Sequence, residues 1–407
     1  MSMLKKTVPY YIIMLIVALP QLSETIYIPS LPSIADELNI SDNLAEQTLT
    51  IYLLGFAFGV LIWGTFSDRF GRKRGLYGGL VVYGFACLGC FFSPNIEVLM
   101  LMRFLQAFGA STGSVLGQAI ARDSIPLHER GKAFSNISMA LSLAPAIGPI
   151  IGGFIASALG WTYVFIALIF LAVIIAGLVY INLPETLSTV SNRKKILPTG
   201  KQCFSLMIKD SKILGFGLII GTVNGILFGY FAEAPFFFIE ILNLSTYWFG
   251  MLSFYIVFPL GIGGIISRTL NKRGMSPNKI IWIGIKSIFW GAFIFYILSH
   301  LQAFNSFFMI LSSILCTCVI MTGVTLIIPN VLGQALENYK ESAGTAASLF
   351  GFFYYTLISL FTSLMGVLHN GTVHRLPLFF ICMSIVLIIS FKSLVQRDFL
   401  LVRIFNK

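Results

Sequence analysis

Hydrophobic residues are grouped along this chain into long runs, and short polar segments separate the runs. Each run is about 18–25 residues long, enough for an α-helix to cross roughly 30 Å of hydrocarbon. Transmembrane β-strands would instead alternate apolar and polar residues over about ten positions. The pattern therefore predicts an all-α polytopic membrane protein with twelve transmembrane helices. The twelve runs span residues 8–34, 45–66, 75–93, 97–121, 132–157, 161–182, 212–240, 247–267, 279–300, 304–330, 342–368 and 375–395.

One polar segment, residues 183–211, divides the runs into two sets of six. It contains two prolines and five basic residues. We predict an N-terminal six-helix bundle over 1–182, a cytoplasmic linker over 183–211 and a C-terminal six-helix bundle over 212–407. A similar basic motif follows the second helix of each half, at 64–74 and 264–273. We therefore expect two pseudo-symmetric bundles, the plan of transporters that bind their substrate between two repeats.

The basic residues orient the chain in its membrane. The net charge is +11, and with the N-terminus inside, 24 of the 27 lysines and arginines fall in cytoplasmic segments. Lys and Arg concentrate on the cytoplasmic side of membrane proteins. We expect both termini in the cytoplasm, and we expect the basic excess to meet membrane lipids and no nucleic acid. The first run lacks a small-residue cleavage site, so it is interpreted as a retained helix.

Three motifs carry a family resemblance. The segment after the second helix reads Gly64-x-x-x-Asp68-Arg69-x-Gly71-Arg72-Lys73, the fourth helix reads Arg103-x-x-Gln106-x-x-Gly109, and the fifth reads Ala144-Pro145-x-x-Gly148-Pro149-x-x-Gly152-Gly153. With these motifs the chain resembles the major facilitator superfamily, and the fifth-helix motif resembles that of its twelve-helix drug:proton antiporters. Segments 21–29 and 343–346 are similar to the Bcr/CflA subfamily and its EmrD-like multidrug exporters.

The resemblance implies a proton-coupled antiporter that exports lipophilic drugs or similar small molecules across the bacterial inner membrane by alternating access. It implies a monomer that uses the proton gradient and no cofactor. A dedicated exporter of a metabolite or siderophore is the alternative, and a proton-coupled importer fits the fifth-helix motif less well. An enzyme is not expected, because the sequence has no phosphate-binding loop and no metal-ligand spacing.

Charged residues inside the hydrophobic runs are the first functional candidates. A charge in hydrocarbon is costly unless it is paired or faces water. The resemblance implies that helices 1, 4, 7 and 10 line a central cavity. We predict that Glu24 carries the coupled proton, that Arg103 adjusts its proton affinity, and that Glu233 is a second candidate carrier. A static Glu24–Arg103 ion pair is the alternative, and Lys286 either snorkels to the cytoplasmic surface or reaches the cavity.

Polar and aromatic positions on the same helix faces predict a substrate cavity. Residues on one face of the fourth helix follow Arg103 at 100° per residue, and the first helix has a matching face. Aromatic residues around Glu233 suit a lipophilic ligand. Tight helix packing could explain the polar faces instead, and lipid contact could explain the aromatic cluster. The predicted cavity residues are Gln21, Tyr27, Gln106, Ser114, Gln118 and Tyr230.

Two motifs predict segments that change conformation during transport, a cytoplasmic gate and a hinge. By resemblance, Asp68 would lie near Ser342–Ala343 at the start of the eleventh helix, and would close the cytoplasmic side together with Gly64, Arg69, Gly71 and Arg72. In the fifth helix, small residues every four positions make a flat face for close packing, and Pro145 and Pro149 permit a kink. We predict that this helix is a hinge. Its motif residues are Pro145, Gly148, Pro149, Gly152 and Gly153.

Overall fold

The computed structural model describes residues 8–126, 129–186, 200–300, 306–337, 339 and 343–395. All regular secondary structure in these residues is helical, which confirms the all-α prediction. The predicted linker is described only in part, because residues 187–199 lie outside the described ranges. Both chain ends, 1–7 and 396–407, also lie outside them, so the cytoplasmic location of the termini remains a prediction.

Long helices follow the hydrophobic runs. They are α1 (Tyr10–Leu38), α2 (Asp42–Phe70), α3 (Arg72–Phe91), α4 (Ile96–Ser124), α5 (Arg130–Leu159), α6 (Tyr163–Asn182), α7 (Ser211–Ile241), α8 (Thr246–Lys272), α9 (Pro277–His300), α10 (Ser306–Ala335), α11 (Ala343–Leu368) and α12 (Arg375–Val395). Among the described residues, eleven are long and apolar enough to cross a membrane, and α5 contains the shorter apolar helix Leu143–Leu159. A short helix, Gly200–Lys209, precedes α7.

The chain forms two compact units. The first comprises Met1–Ser41, Gln47–Ile196 and Thr246–Met251, and the second comprises Asp42–Glu46, Leu197–Ser245 and Leu252–Lys407. The first turn of α2 therefore belongs to the second unit. The first turns of α8 belong to the first unit. The bundle boundaries at 182 and 212 remain a prediction.

The same glycine contact recurs in both units. On α4, a Cβ added to Gly109 would lie 2.6 Å from the carbonyl oxygen of Gly79 on α3. On α10, a Cβ added to Gly323 would lie 2.7 Å from the carbonyl oxygen of Gly284 on α9. Only glycine lets two helix backbones approach so closely. Because α3–α4 and α9–α10 are the third and fourth helices of their halves, the contact is consistent with an internal repeat.

The fifth-helix motif packs α5 on two sides within the first unit. A Cβ on Gly152 would overlap the carbonyl oxygen of Ile26 on α1, and one on Gly148 would overlap the hydroxyl of Thr25. On its other side, a Cβ on Gly153 would lie 2.9 Å from the carbonyl oxygen of Thr246, at the start of α8. Pro145 and Pro149 are buried in the same helix. The motif therefore determines how closely α5 approaches two neighbouring segments.

Gly152→Ala tests this close packing. The added methyl group must displace the α1 backbone, and overpacking of this kind destabilises a protein by about 1–3 kcal/mol. We expect a lower midpoint of thermal unfolding in detergent. Gly177→Ala in α6 is the matched control, since a Cβ there meets nothing within 4 Å and helix propensity favours alanine by up to about 1 kcal/mol. Equal midpoints for the two variants would contradict the packing argument.

Candidate functional site

Arg103 on α4 is fully buried in the first unit, and its guanidinium packs against two aromatic rings. Its Cζ lies 4.1 Å from the ring centre of Tyr27 on α1 and 4.3 Å from the ring centre of Tyr52 on α2. Its Nη1 donates to Gln106 Oε1 at 2.6 Å. Within the described part of the chain, Nε and Nη2 have no hydrogen-bond partner. The first unit therefore buries a guanidinium with two nitrogens that donate no hydrogen bond to a described residue.

Hydrogen bonds to three helices fix the groups around Arg103. The Tyr27 hydroxyl donates to Thr48 Oγ1 at 3.1 Å, and the Tyr52 hydroxyl donates to the carbonyl oxygen of Pro20 at 3.2 Å. Gln106 Nε2 donates to Cys87 Sγ on α3 at 3.1 Å. Sequence reasoning identified Tyr27 and Gln106 but missed Tyr52. No local pattern marks Tyr52, because it is one aromatic residue within an apolar run.

Glu24 on α1 is buried in the same unit, with 4% of its surface exposed. Arg103 is near enough for its positive charge to interact electrostatically with the Glu24 carboxyl group. However, among the described residues no hydrogen bond or ion pair is formed with that carboxyl group. The static ion pair with Arg103 that the sequence allows is therefore not formed here. A carboxyl group near a cation that it does not touch can exchange a proton without breaking a salt bridge.

The polar face of α4 changes from buried to exposed along the helix. Gln106 is fully buried beside Arg103, Ser114 is half-buried, and Gln118 is exposed. Gln21 on α1 is half-buried. The remaining predicted cavity residue, Tyr230 on α7, lies in the second unit, where its hydroxyl is 2.7 Å from the hydroxyl of Tyr255. The predicted cavity residues thus fall into two groups, one in each unit.

The motif between α2 and α3 makes a compact turn in the first unit. Gly71 has φ +104° and links the two helices. Arg72 Nη1 lies 2.6 Å from Asp68 Oδ1 and donates to Ser67 Oγ at 2.7 Å, while its Nε donates to Asp123 Oδ2 on α4 at 3.3 Å. Arg72 therefore ties the ends of α2 and α4 together.

Other residues of this motif have local roles. Gly64 is buried, and its carbonyl oxygen accepts a hydrogen bond from Ser67 Oγ at 3.0 Å. The guanidinium of Arg69 lies 5.3 Å from the ring centre of Phe70. The expected neighbour of Asp68 at Ser342 lies outside the described residues. The gating role of the motif therefore remains a prediction.

Glu185, which follows α6, caps the first turn of α3. Its Oε1 accepts from the backbone N–H of Arg72 at 2.8 Å, and its Oε2 accepts from that of Lys73 at 3.2 Å. A carboxylate is favoured at a helix N-terminus because unpaired N–H groups and the positive end of the helix dipole meet there. Sequence reasoning missed this residue, since an acid in the segment after a helix is unremarkable without the contact.

A carboxyl–imidazole cluster lies in the second unit, around the predicted carrier Glu233. His369, immediately after α11, places Nδ1 2.8 Å from Glu233 Oε2 and 3.4 Å from Glu46 Oε1. Its Nε2 lies 3.4 Å from Asp42 Oδ2. Glu46, Glu233 and His369 are all buried. Glu46 was missed although it lies one residue inside a predicted span, and His369 was missed because it lies one residue past the end of another.

Helix α7 changes geometry next to this cluster. Pro235 lacks a backbone N–H, and a π-helical segment, Phe236–Ile241, follows it. Such wide turns are frequent at functional sites. The ring centre of Phe236 lies 5.3 Å from that of His369. In α9, Lys286 is exposed, with its Nζ 5.8 Å from the ring centre of Trp282.

Comparisons with known proteins agree with this helical plan. The Major Facilitator Superfamily model matches residues 13–363. The chain is 35% identical over 392 residues to an uncharacterized transporter of Rickettsia felis, covering 94% of this chain and 95% of that protein. It is 27% identical over 355 residues to a bicyclomycin resistance protein homolog of Haemophilus influenzae, covering 87% of each. A crystal structure of a D-xylose-proton symporter has the same fold, with a TM-score of 0.73 at 16% identity over 94% of this chain and 96% of that one.

Gly71→Ala tests the α2–α3 turn, and Gly160→Ala is its matched control. Both glycines have a backbone conformation that alanine rarely adopts, with φ and ψ of 104° and 149° at Gly71 and 99° and 158° at Gly160. A Cβ at Gly71 would also collide with the Glu185 carboxylate, whereas a Cβ at Gly160 meets nothing within 4 Å. Each variant should lose about 1–3 kcal/mol to backbone strain.

Gly71→Ala should lose about 1 kcal/mol more, because it also displaces the helix cap. Thermal unfolding in detergent measures the difference between the two variants. In a Glu185→Ala background the extra loss at Gly71 should disappear, because the colliding group is gone. An extra loss that persists in that background would show that Glu185 is not its cause.

Proposed function

Because the chain belongs to the major facilitator superfamily, and is therefore a multi-pass transporter of the bacterial inner membrane and not an enzyme, we propose that it is a proton-coupled antiporter. In this proposal it exports lipophilic small molecules by alternating access. The relative named for bicyclomycin resistance supports export of an antibiotic-like cargo. The observation that carries the proposal is a buried carboxyl group, Glu24, and a buried cation, Arg103, that share one unit without forming an ion pair.

The Arg103 guanidinium can interact with a cargo or with a carboxyl group that gains and loses a proton. Two tyrosine rings and one amide oxygen hold its guanidinium, and Nε and Nη2 remain available in the described part of the chain. A structural arginine would be expected to have its donors filled by carboxylate or carbonyl oxygens, since unfilled buried donors are costly. Free donors and a nearby acid instead suit a group whose partners change during a transport cycle.

We assign the coupled proton to Glu24 rather than to Glu233. No side chain in the described residues bonds to the Glu24 carboxyl group, so proton transfer there breaks no existing contact. Glu233 is already bonded to His369 at 2.8 Å. The motif residues Asp68, Arg69 and Arg72 would close the cytoplasmic side, and the segment from Pro145 to Gly153 would be the hinge between transport states.

Glu24→Gln tests the assignment in energised inside-out membrane vesicles that hold a pH-sensitive dye. Adding lipophilic cations, phenicols or siderophores one at a time should release protons through the unmodified protein. The response should vanish in Glu24→Gln, because glutamine cannot carry a proton. Glu97→Gln, the same substitution at an exposed position on α4, is the control. Loss of response in Glu233→Gln with full response in Glu24→Gln would refute the Glu24 assignment. No proton release with any compound, from correctly inserted protein, would refute drug antiport.

Arg103→Lys separates charge from geometry. Lysine keeps the positive charge, but it cannot stack a planar group between two rings and donate to Gln106 in the same way. A desolvated cation–π contact contributes about 2 kcal/mol, so proton-coupled transport in the same vesicles should fall roughly tenfold or more. Arg122→Lys on α4 lies away from the two tyrosines and should transport normally. Full transport by Arg103→Lys would mean that the charge alone suffices.

A further inference from the structure

The cluster of Asp42, Glu46, Glu233 and His369 in the second unit holds more carboxyl groups than its one imidazole can engage. Three carboxyl groups surround a single imidazole. Glu46 is 1% exposed, and no N–H or hydroxyl group among the described residues donates to either of its carboxyl oxygens, which have the Glu233 carboxyl group within hydrogen-bonding reach. Glu233 Oε1 likewise accepts no hydrogen bond from such a group. Buried charges in proteins are paired or coordinate metals.

We propose that this cluster is a binding site for a divalent transition-metal cation. Glu46, Glu233 and His369 Nδ1 are its ligands, and Asp42 holds the opposite ring nitrogen of His369. The inference goes beyond drug antiport and does not depend on it, because it concerns a different unit and an equilibrium that needs no membrane potential.

The distances suit coordination. One ligand atom from each of Glu46, Glu233 and His369 lies within 4.8 Å of the other two. Zinc binds nitrogen and oxygen at about 2.0–2.1 Å, so two ligands of a tetrahedral site lie about 3.3 Å apart. The separation of His369 Nδ1 from Glu46 Oε1 is 3.4 Å. The Nδ1–Glu233 distance of 2.8 Å is that of a hydrogen bond, which a cation would replace by drawing both atoms onto itself.

Asp42 would not bind the metal itself but would contact the second ring nitrogen of His369. A metal-binding histidine usually donates its other ring N–H to a carboxylate, which fixes the tautomer and the ring orientation. Asp42 Oδ2 lies 3.4 Å from His369 Nε2, on the side of the ring opposite Glu46 and Glu233. The Asp42 side chain is 35% exposed. Asp42 is therefore the member of the cluster that reaches the surface of the protein.

The ligand types select the class of cation. Mg²⁺ and Ca²⁺ take oxygen ligands only, and Mg²⁺ keeps most of its water. Imidazole combined with carboxylates suits Zn²⁺, Co²⁺, Ni²⁺ and Mn²⁺. Two glutamates that have lost their protons neutralise a dication, so the occupied site holds no net charge from these ligands. Three protein ligands also leave one tetrahedral position open for water.

Zn²⁺ titration of the purified full-length protein, with its affinity tag removed and metals stripped, tests the site. Calorimetry should give one Zn²⁺ per chain, and Co²⁺ should develop the visible absorption of a low-symmetry complex. Asp42→Asn should weaken Zn²⁺ binding by about 10–100-fold, as loss of an orienting partner does. His369→Gln and Glu46→Gln should weaken it further. Because Asp42 is partly exposed, Asp42→Asn tests the site even if a core variant fails to fold.

His374→Gln is the matched control. Outside the cluster, His300 and His374 form a pair of imidazoles that could also attract metal. The rings of His300 and His374 lie 4.0 Å apart at their centres. Burial, followed by the charges of His300 and Arg375, lowers the pKa of His374, so its neutral nitrogen is available at pH 7. His374→Gln should bind Zn²⁺ as the unmodified protein does. The proposal is overturned if the folded protein binds no Zn²⁺, if Asp42→Asn and His369→Gln bind normally, or if only His374→Gln loses binding.

Discussion

A membrane interior offers no water to a backbone amide or to a charged side chain, and the buried sites of this protein reflect that constraint. Backbone groups are satisfied inside helices. Helices then recognise one another through small residues that permit close approach, or through polar side chains that find partners. The contact of Gly152 with Ile26 is of the first kind. The enclosure of Arg103 by Tyr27 and Tyr52 is of the second, with ring faces in place of a carboxylate.

Each unit leaves buried ionisable groups incompletely hydrogen-bonded, a cation in the first and carboxyl groups in the second. In the first, the guanidinium of Arg103 has two nitrogens without hydrogen-bond partners in the described residues. In the second, Glu46 and Glu233 share one imidazole. Proteins tend to break the rule of polar satisfaction at functional sites. A carrier has a specific reason to do so, because a group that is fully bonded in one state cannot exchange partners when the state changes.

Much of the fold could be predicted, because a span is a local property that run length and hydropathy reveal. Glu24, Arg103 and Glu233 were equally visible as charges inside apolar runs. The contacts that these residues make could not be predicted from the sequence. Glu46 and His369 lie at the ends of runs, where polar residues are ordinary, and the residues of their cluster come from three parts of the chain that are far apart in sequence. Sequence spacing shows metal ligands only when they share a local segment, so no spacing could indicate this cluster.

The cluster around Glu233 also orders events during biosynthesis. Glu233 and His369 are 136 residues apart, and ribosomes add about 5–20 residues per second, so roughly 7–27 s separate the synthesis of the two partners. Throughout that interval α7 carries a carboxyl group whose imidazole does not yet exist. Arg103 has the opposite history, since both of its tyrosines precede it in the chain. The groups around Arg103 are therefore already made when Arg103 is added, whereas Glu233 gains its imidazole partner only after His369 has been made.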